Sequence, residues 1–273
     1  MTIIKEEFFV KIDGHIHTPF CPHGSPDLFE QYIEKAIVNR FTHISFTEHA
    51  PLPPTFNDPT PDKDSGMDAN QLQNYITQLN DLKLYYKNNI HINIGLEIDY
   101  ISGYEKETTA FLNEVGPQLD DAILSVHFLK HEDEYCCIDF SDKVYLQFAE
   151  KVGGIQPLYN LYYETVKASI KADLGPYKPT RIGHPTLVHK FQHAHNETVD
   201  DDAQVKEIFH LMKKLDYALD LNSAGLSKPL CREPYPPYHL IDYAKAIDLR
   251  YVFGSDAHTV TDLHQHYDTI FKD

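Results

Sequence analysis

The fold of this chain of 273 residues is most constrained by a regular alternation of short apolar segments with amphipathic ones. Seven segments are predicted to be strands, and each is followed by a helix or a helical segment. This alternation is typical of parallel strands joined by helical crossovers, so it predicts an α/β fold. The predicted strands cover residues 8–12, 42–47, 90–96, 121–126, 180–183, 217–221 and 250–254.

The segments between these strands have the apolar spacing of helices, with two exceptions. Residues 131–141 are predicted to be an excursion or short hairpin, and residues 50–66 form a proline-rich loop. Long loops in compact domains are usually lids, binding loops or disordered segments, and we favour a lid over a site. The length suits a single domain covering residues 1–273. The predicted helices cover residues 26–39, 68–87, 104–115, 143–151, 157–173, 199–215 and 238–248.

Side chains that can bind metal ions recur at the ends of six of the seven predicted strands. In a closed parallel barrel these ends meet at one face, whereas an open doubly wound sheet would spread them along a line. We therefore predict a distorted barrel of seven strands with a metal site at the carboxyl ends of the strands. The candidate ligands are His15, His17, His23, His49, Glu97, His127, His184, Asp256 and His258.

The first of these strand ends carries three histidines within nine residues. His15 and His17 are two residues apart, so on an extended chain both side chains point to the same face. Neutral imidazole is the commonest metal ligand, and this pair can form half of a site. His23 follows a turn that contains prolines, and it could reach the same ion or a neighbouring one. The alternative is a polar strand end with three solvated histidines.

Composition excludes some partners. The formal charge of −17 argues against nucleic acid, although a small phosphorylated substrate needs only a local cationic pocket. The four cysteines form no Cys-x-x-Cys pair, so we expect reduced thiols. We see no signal peptide and no apolar run of membrane length, and we expect a cytoplasmic protein with no membrane partner. The oligomeric state is not indicated.

Six short motifs in order carry a resemblance to a known family. They are His-x-His-Thr, Thr-Glu-His, Gly-Leu-Glu, Ser-Val-His, Gly-His-Pro and Gly-Ser-Asp-Ala-His, and together they span residues 13–258. In this order they resemble the PHP (polymerase and histidinol phosphatase) superfamily. The stretches Asp-Gly-His-Ile-His-Thr-Pro-Phe-Cys-Pro-His-Gly and Asn-Ser-Ala-Gly-Leu-Ser-Lys-Pro-Leu are similar to its histidinol-phosphatase branch.

The resemblance implies a distorted (β/α)7 barrel with a trinuclear metal centre. The first ion would take His15, His17, Glu97 and Asp256. The second would share Glu97 and add His127 and His184, and the third would take His23, His49 and His258. Mixed imidazole and carboxylate ligands suit Zn, Mn or Fe, so we expect two to three divalent ions without ranking these metals.

The implied activity is metal-dependent hydrolysis of L-histidinol phosphate to L-histidinol and phosphate, a step of histidine biosynthesis. Two metals would lower the pKa of a bridging water, with Glu97 between them, and Asp256 or another water could protonate the leaving alkoxide. Another substrate of the superfamily, such as phosphotyrosine, a nucleotide or a nucleic-acid end, is an alternative. A non-catalytic metal-binding module is another.

The phosphate should also contact a cation outside the metal shell. Arg181, Lys228 and Arg232 are the candidates, although strand alternation would point Arg181 away from His184. Asp13 and Glu48 lie next to candidate ligands, and they either hold an imidazole N–H or form ordinary structural hydrogen bonds. His189, His193 and His195 are predicted to be solvated, and Cys21 to serve packing.

Overall fold

The computed structural model describes residues 10–272, which form nine strands and eight α-helices. The strands are β1 (Ile12–Ile16), β2 (His43–His49), β3 (His91–Asp99), β4 (Asp121–Ser125), β5 (Phe128–His131), β6 (Glu134–Cys137), β7 (Arg181–Ile182), β8 (Ala218–Asn222) and β9 (Tyr251–Gly254). The helices are α1 (Phe29–Val38), α2 (Leu72–Tyr85), α3 (Glu105–Val115), α4 (Asp142–Val152), α5 (Ile155–Lys171), α6 (Asp202–Lys214), α7 (Tyr238–Ala246) and α8 (Tyr267–Ile270). Short 3₁₀ helices cover Ala69–Gln71, Gly116–Gln118, Leu187–Ala194 and Ala224–Ser227.

Seven strands form one parallel sheet in the order β1-β2-β3-β4-β7-β8-β9, which is their order in the chain. The sheet nearly closes on itself, because Ile16 forms a parallel bridge with Ala257 beyond β9. At this seam the His17 N–H donates to the Ala257 carbonyl at 2.9 Å, and the Asp256 N–H donates to the His15 carbonyl at 2.8 Å. The predicted (β/α)7 barrel is confirmed.

The predicted helices are found within a few residues of their expected bounds, because each buries one apolar face. In α1 the buried residues are Phe29, Tyr32, Ile33 and Ala36, at the i, i+3, i+4, i+7 spacing of a helix face. Among the helices of residues 10–272, none combines the length and the apolar character needed to cross a membrane.

The first strand lies later in the chain than predicted. Residues 8 and 9 lie outside the described residues, residues 10–11 precede the strand, and of the predicted range only Ile12 belongs to it. The prediction ends this strand where the histidine motif begins, at Asp13. The polar groups of the motif are instead satisfied inside the barrel: the Asp13 carboxylate accepts the backbone N–H of Ser255 at 3.0 Å. The strand can therefore continue through Asp13 and His15.

The loop at residues 50–66 contains no helix or strand, as predicted, and it is packed against the β5–β6 hairpin. The Phe56 ring lies 5.0 Å from the Phe128 ring and 5.2 Å from the Tyr135 ring. Inside the loop, the buried Asp58 carboxylate accepts the backbone N–H groups of Thr60 at 2.9 Å and Ser65 at 3.1 Å. The loop is thus fixed beside the carboxyl ends of the strands.

Candidate metal centre

The predicted ligands converge on Glu97, near the end of β3, whose side chain is 1% exposed. Five imidazoles approach its two oxygens. Oε2 lies 3.5 Å from His15 Nε2, 3.7 Å from His17 Nε2 and 3.1 Å from His49 Nδ1, and Oε1 lies 2.9 Å from His184 Nε2 and 3.8 Å from His127 Nε2. One carboxylate is therefore placed where it can bridge two groups of histidines.

The pair on β1 has the geometry expected of two ligands to one cation. The Nε2 atoms of His15 and His17 are 3.2 Å apart. Each ring has its Nδ1 beside a carboxylate, Asp220 at 2.9 Å and Glu48 at 3.1 Å respectively. When each Nδ1 carries the hydrogen, two Nε2 lone pairs face each other, and a cation between them removes that repulsion. Zinc–imidazole bonds of about 2.0–2.1 Å are compatible with this separation.

Carboxylates behind the ligands fix their orientation. Besides the contacts of His15 and His17, His127 Nδ1 lies 2.8 Å from Asp99 Oδ1. Partners of this kind set the tautomer of a ligating histidine and raise its basicity. Glu48 therefore contacts a candidate ligand imidazole, that of His17, whereas Asp13 contacts His264 Nδ1 at 2.8 Å, outside the candidate ligand set. The sequence analysis did not identify Asp99 or Asp220. Each could have been found by strand alternation, since Asp99 lies two residues from Glu97 on β3 and Asp220 two residues from Asn222 on β8.

A third group lies beside β1. The His17 ring stacks on His258 at 4.0 Å and lies 4.2 Å from His49, measured between ring centroids. The His23 ring is 5.1 Å from His49, and its Nδ1 lies 2.9 Å from the Asp64 carbonyl oxygen. The structure thus brings His23, His49 and His258 together.

Among residues 10–272, four groups of buried or half-buried side chains have ligand atoms within 4.8 Å of one another. The groups are His15, His17, Asp256; Glu97, His127, His184; His49, Asp99, His127; and His17, Cys21, His49, His258. The first two match the ligand sets implied for two of the ions. The fourth includes Cys21, which is buried, and lacks His23.

Unpaired buried atoms support the presence of a cation. Glu97 Oε2 and His49 Nδ1 are 3.1 Å apart, yet neither has a hydrogen-bond partner in the part of the chain that the structure describes. Leaving a buried carboxylate oxygen unpaired is costly, whereas bound metal ions would satisfy both atoms. The donor set of imidazoles and carboxylates fits a divalent transition metal.

Within the cluster, the pKa values of the carboxylates are lowered, whereas those of several histidines are raised. Burial acts against the charged forms, but the surrounding histidines hold the pKa of Glu97 and of Asp256 well below the usual value. Burial lowers the pKa of His17, yet Asp256 and Glu48 together raise it to about 9. Metal binding requires the neutral imidazole, so loading this cluster should release protons.

Arg181 does not reach the metal cluster. Its guanidinium donates to the Gly14 carbonyl and to Asp121 Oδ2, both at 2.8 Å, within the barrel. The alternation argument also fails, because His184 has a φ of +24° and the chain turns after Gly183. Arg181 and His184 consequently both point inward, at different depths, and the predicted phosphate contact of Arg181 is wrong.

The other two predicted phosphate contacts are exposed. Lys228 lies on the surface, and Arg232 Nε donates to the nearby Pro229 carbonyl at 2.7 Å. A cation that was missed, Lys190, lines the cavity above the histidines, where its ammonium pairs with Asp139 at 3.0 Å. Neighbouring Asp139 and, less strongly, Asp256 raise the pKa of Lys190 although burial lowers it, so it stays charged.

This cavity has a volume of about 270 Å³ and opens onto the candidate ligands. His23, His49 and His127 lie at its metal-facing side. The rest of the lining comes from the proline-rich loop, the ends of β3 and β6, the segment after β6 and the 3₁₀ helix at Leu187–Ala194. It is formed by Thr60, Asp64, Ser65, Asp99, Cys137, Asp139, Phe140 and Lys190. A small molecule can therefore approach the cluster through a cavity that carries both signs of charge.

His189 is buried, contrary to the prediction of a solvated surface, whereas His193 is exposed. Both nitrogens of His189 are paired: Nδ1 lies 2.7 Å from Glu233 Oε1 and Nε2 lies 2.7 Å from Asp201 Oδ2. Burial lowers its pKa, but these two carboxylates raise it to about 9. The segment that carries Lys190 is thereby fastened to the loop after β8 and to the start of α6.

Comparison with known proteins places this cluster in a family. Residues 13–224 match the model of the PHP domain. The histidinol-phosphatase of Bacillus subtilis is 42% identical over 264 residues, which cover 96% of this chain and 98% of that protein. A probable histidinol-phosphatase of Deinococcus radiodurans is 29% identical, covering 90% and 85%.

Solved structures agree with the sequence matches. A putative histidinol phosphatase from Listeria monocytogenes superposes with a TM-score of 0.89 at 42% identity, covering 95% of this chain and 99% of the other. The histidinol phosphate phosphatase of Lactococcus lactis, solved with zinc, L-histidinol and phosphate, has a TM-score of 0.69 at 20% identity, covering 96% and 92%. At that identity the second match supports the fold.

Proposed function

The chain belongs to the PHP domain family, and on this basis we propose that it hydrolyses L-histidinol phosphate to L-histidinol and phosphate, a step of histidine biosynthesis. The observation that carries the proposal is the convergence of five imidazoles on Glu97 beneath a cavity that admits a small molecule. The near full-length identity to the Bacillus subtilis enzyme supports the substrate.

Divalent ions bound to this cluster would activate a water as nucleophile and neutralise charge on the phosphate. We propose that His15, His17 and Asp256 hold one ion, that His127 and His184 hold a second, and that Glu97 lies between them. We propose His23, His49 and His258 for a third. The imidazole-rich donor set suits Zn, Mn or Fe.

The residues of the chain position these groups and the substrate. Asp220, Glu48 and Asp99 keep each Nδ1 hydrogen in place, so that the Nε2 lone pairs face the centre. Asp256 Oδ2 accepts a hydrogen bond from the Asn222 side chain at 3.1 Å, which leaves Oδ1 turned toward His17. Because the pKa of Asp256 is held well below the usual value, it stays a carboxylate, and we propose that a water, the other predicted donor, protonates the leaving alkoxide.

Lys190 is the cation that we assign to the phosphate. It lines the cavity, whereas Lys228 and Arg232 do not, and its partner Asp139 holds the ammonium in place. A charged donor that is already oriented loses little entropy when it binds an anion. Lys190 would add a charge-assisted hydrogen bond to the phosphate.

A substrate panel tests the proposed function. Metal-loaded protein is assayed with L-histidinol phosphate, phosphotyrosine, a nucleoside monophosphate and a simple alkyl phosphate. We expect kcat/KM for L-histidinol phosphate to exceed the others by about a hundredfold or more. Equal, slow rates on all four would contradict the substrate assignment, and metal binding without turnover would favour a non-catalytic module. A chelator-treated sample is the control for metal dependence.

A further inference from the structure

Within residues 10–272, the cavity above the candidate metal cluster contains one carboxylate without a cationic partner. Three aspartates line it, and two of them are paired: Asp139 with Lys190 at 3.0 Å and Asp99 with His127 at 2.8 Å. The third, Asp64, makes only a 3.5 Å contact with the Thr60 hydroxyl among the residues that the structure describes. The preceding Lys63 points away, since its ammonium donates to Asn57 at 2.8 Å.

Asp64 is held in this position by several contacts. Its backbone carbonyl lies 2.9 Å from His23 Nδ1, which ties it to the candidate ligands. The next residue, Ser65, donates its N–H to the buried Asp58 carboxylate at 3.1 Å. The carboxylate of Asp64 is therefore presented to the cavity by a fixed backbone and not by a free surface loop.

The same cavity reaches unpaired, deeply buried groups. His49 lines the cavity and is 7% exposed; among the residues that the structure describes, its Nδ1 has no hydrogen-bond partner, nor has the neighbouring Glu97 Oε2. Since a metal ion is expected at these atoms, the floor of the cavity is where the phosphate end of a substrate would lie. The metal ions and Lys190 would bind the phosphate of a substrate. Of the charged groups that line the cavity, Asp64 then remains without a partner of opposite charge among the described residues.

We propose that Asp64 binds the ammonium group of the substrate and so selects phosphate esters of amino alcohols. The inference deepens the proposed function and rests on it. In L-histidinol phosphate the ammonium is on the carbon next to the one that carries the ester oxygen, so it must lie close to the metal-bound end. The Asp64 carbonyl lies 2.9 Å from His23 Nδ1 and both residues line the cavity, so the Asp64 carboxylate is on the side of the cavity that faces the candidate ligands.

The test compares paired substrates with matched variants. L-histidinol phosphate and its analogue without the amino group are assayed with wild type, Asp64→Asn and Asp62→Asn. Asp62 is an exposed acid of the same loop, so its variant removes one charge outside the cavity. We expect Asp64→Asn to lower the wild-type preference for the amine substrate by about tenfold to a hundredfold, the range for a hydrogen bond to a charged group. Asp62→Asn should keep that preference.

Binding measured by calorimetry separates this proposal from the proposed function. L-histidinol is titrated into metal-loaded wild type and into both variants, with the alcohol that lacks the amino group as reference. If L-histidinol binds selectively, Asp64→Asn weakens that binding and L-histidinol phosphate is not turned over, the subsite is supported and the proposed activity is contradicted. Turnover of L-histidinol phosphate with equal losses on both substrates in Asp64→Asn would overturn the subsite alone, as would an unaltered preference.

Discussion

Two histidine-rich segments of this chain are similar in composition and differ in what their imidazoles do. In residues 13–23, His15 and His17 each have one nitrogen on a carboxylate and the other facing a second imidazole. In residues 184–195, His184 contacts Glu97, but His189 has both nitrogens on carboxylates. All four side chains are buried.

This difference shows which property marks a ligand. Burial and a carboxylate partner are common to His17 and His189, and both have a pKa raised to about 9. Both nitrogens of His17 also lie near carboxylates, because its Nε2 is 3.1 Å from Asp256 Oδ1. Of the two residues, His17 is the one whose second nitrogen also faces an imidazole nitrogen, His15 Nε2 at 3.2 Å. A ligand is therefore recognised by where its second nitrogen points, and the predictions that follow test this criterion.

The largest effect should come from His17→Ala. This variant removes an imidazole from both the first and the fourth candidate ligand groups, so we expect metal loss. We expect kcat/KM to fall more than about a hundredfold, beyond the range typical of residues behind the ligands. Metal content by elemental analysis and turnover of L-histidinol phosphate are the measurements. His193→Ala, in the exposed part of the second segment, is the control, and equal losses in both variants would break the comparison.

A smaller effect is expected from Asp220→Asn. Asp220 contacts His15 Nδ1 at 2.9 Å and does not belong to any of the four ligand groups. An amide can no longer act as a charged acceptor, so His15 should bind metal about ten- to a hundredfold more weakly. Competition with a metal-binding dye gives the affinity. An affinity equal to that of wild type would show that the carboxylate does not set the imidazole orientation.

Features of this site could be predicted where they follow from a regular pattern along the chain, and could not where they depend on partners far away in the sequence. The barrel and the convergence of the ligands followed from alternation along the chain, because parallel strands bring their ends together. Lys190 and His189 could not be found in this way, since a 3₁₀ helix has neither strand nor α-helix periodicity and their partners are distant in sequence. Arg181 was misassigned because its position in the sequence does not show how deep the side chain lies: its guanidinium is held inside the barrel by the Gly14 carbonyl and Asp121, away from the cavity.

Lys190→Gln tests the second segment directly. The neutral amide keeps much of the length but loses the charge, so we expect kcat/KM to fall about tenfold, the lower end for a hydrogen bond to a charged group. Inhibition by inorganic phosphate should weaken in parallel, which a purely structural role would not produce. Lys228→Gln is the matched control, because Lys228 is exposed. A larger fall of kcat/KM in Lys228→Gln than in Lys190→Gln would contradict the assignment and indicate that Lys228, in the loop after β8, contacts the phosphate.

The smallest effect on activity is expected from His189→Gln. This variant should instead lower the free energy of unfolding, by an amount that depends on pH. The pKa of His189 is raised from 6.5 to about 9 in the folded chain, because Asp201 and Glu233 outweigh the effect of burial. Its contribution to stability is thus fully present below pH 6.5 and is lost as the pH rises through about 9. Since one pKa unit corresponds to about 1.4 kcal/mol, the contribution that is lost is about 3 kcal/mol. Denaturant unfolding of metal-loaded wild type and variant should show a difference in unfolding free energy that narrows over this range. A difference that stays constant with pH would mean that His189 is neutral, as a metal ligand must be.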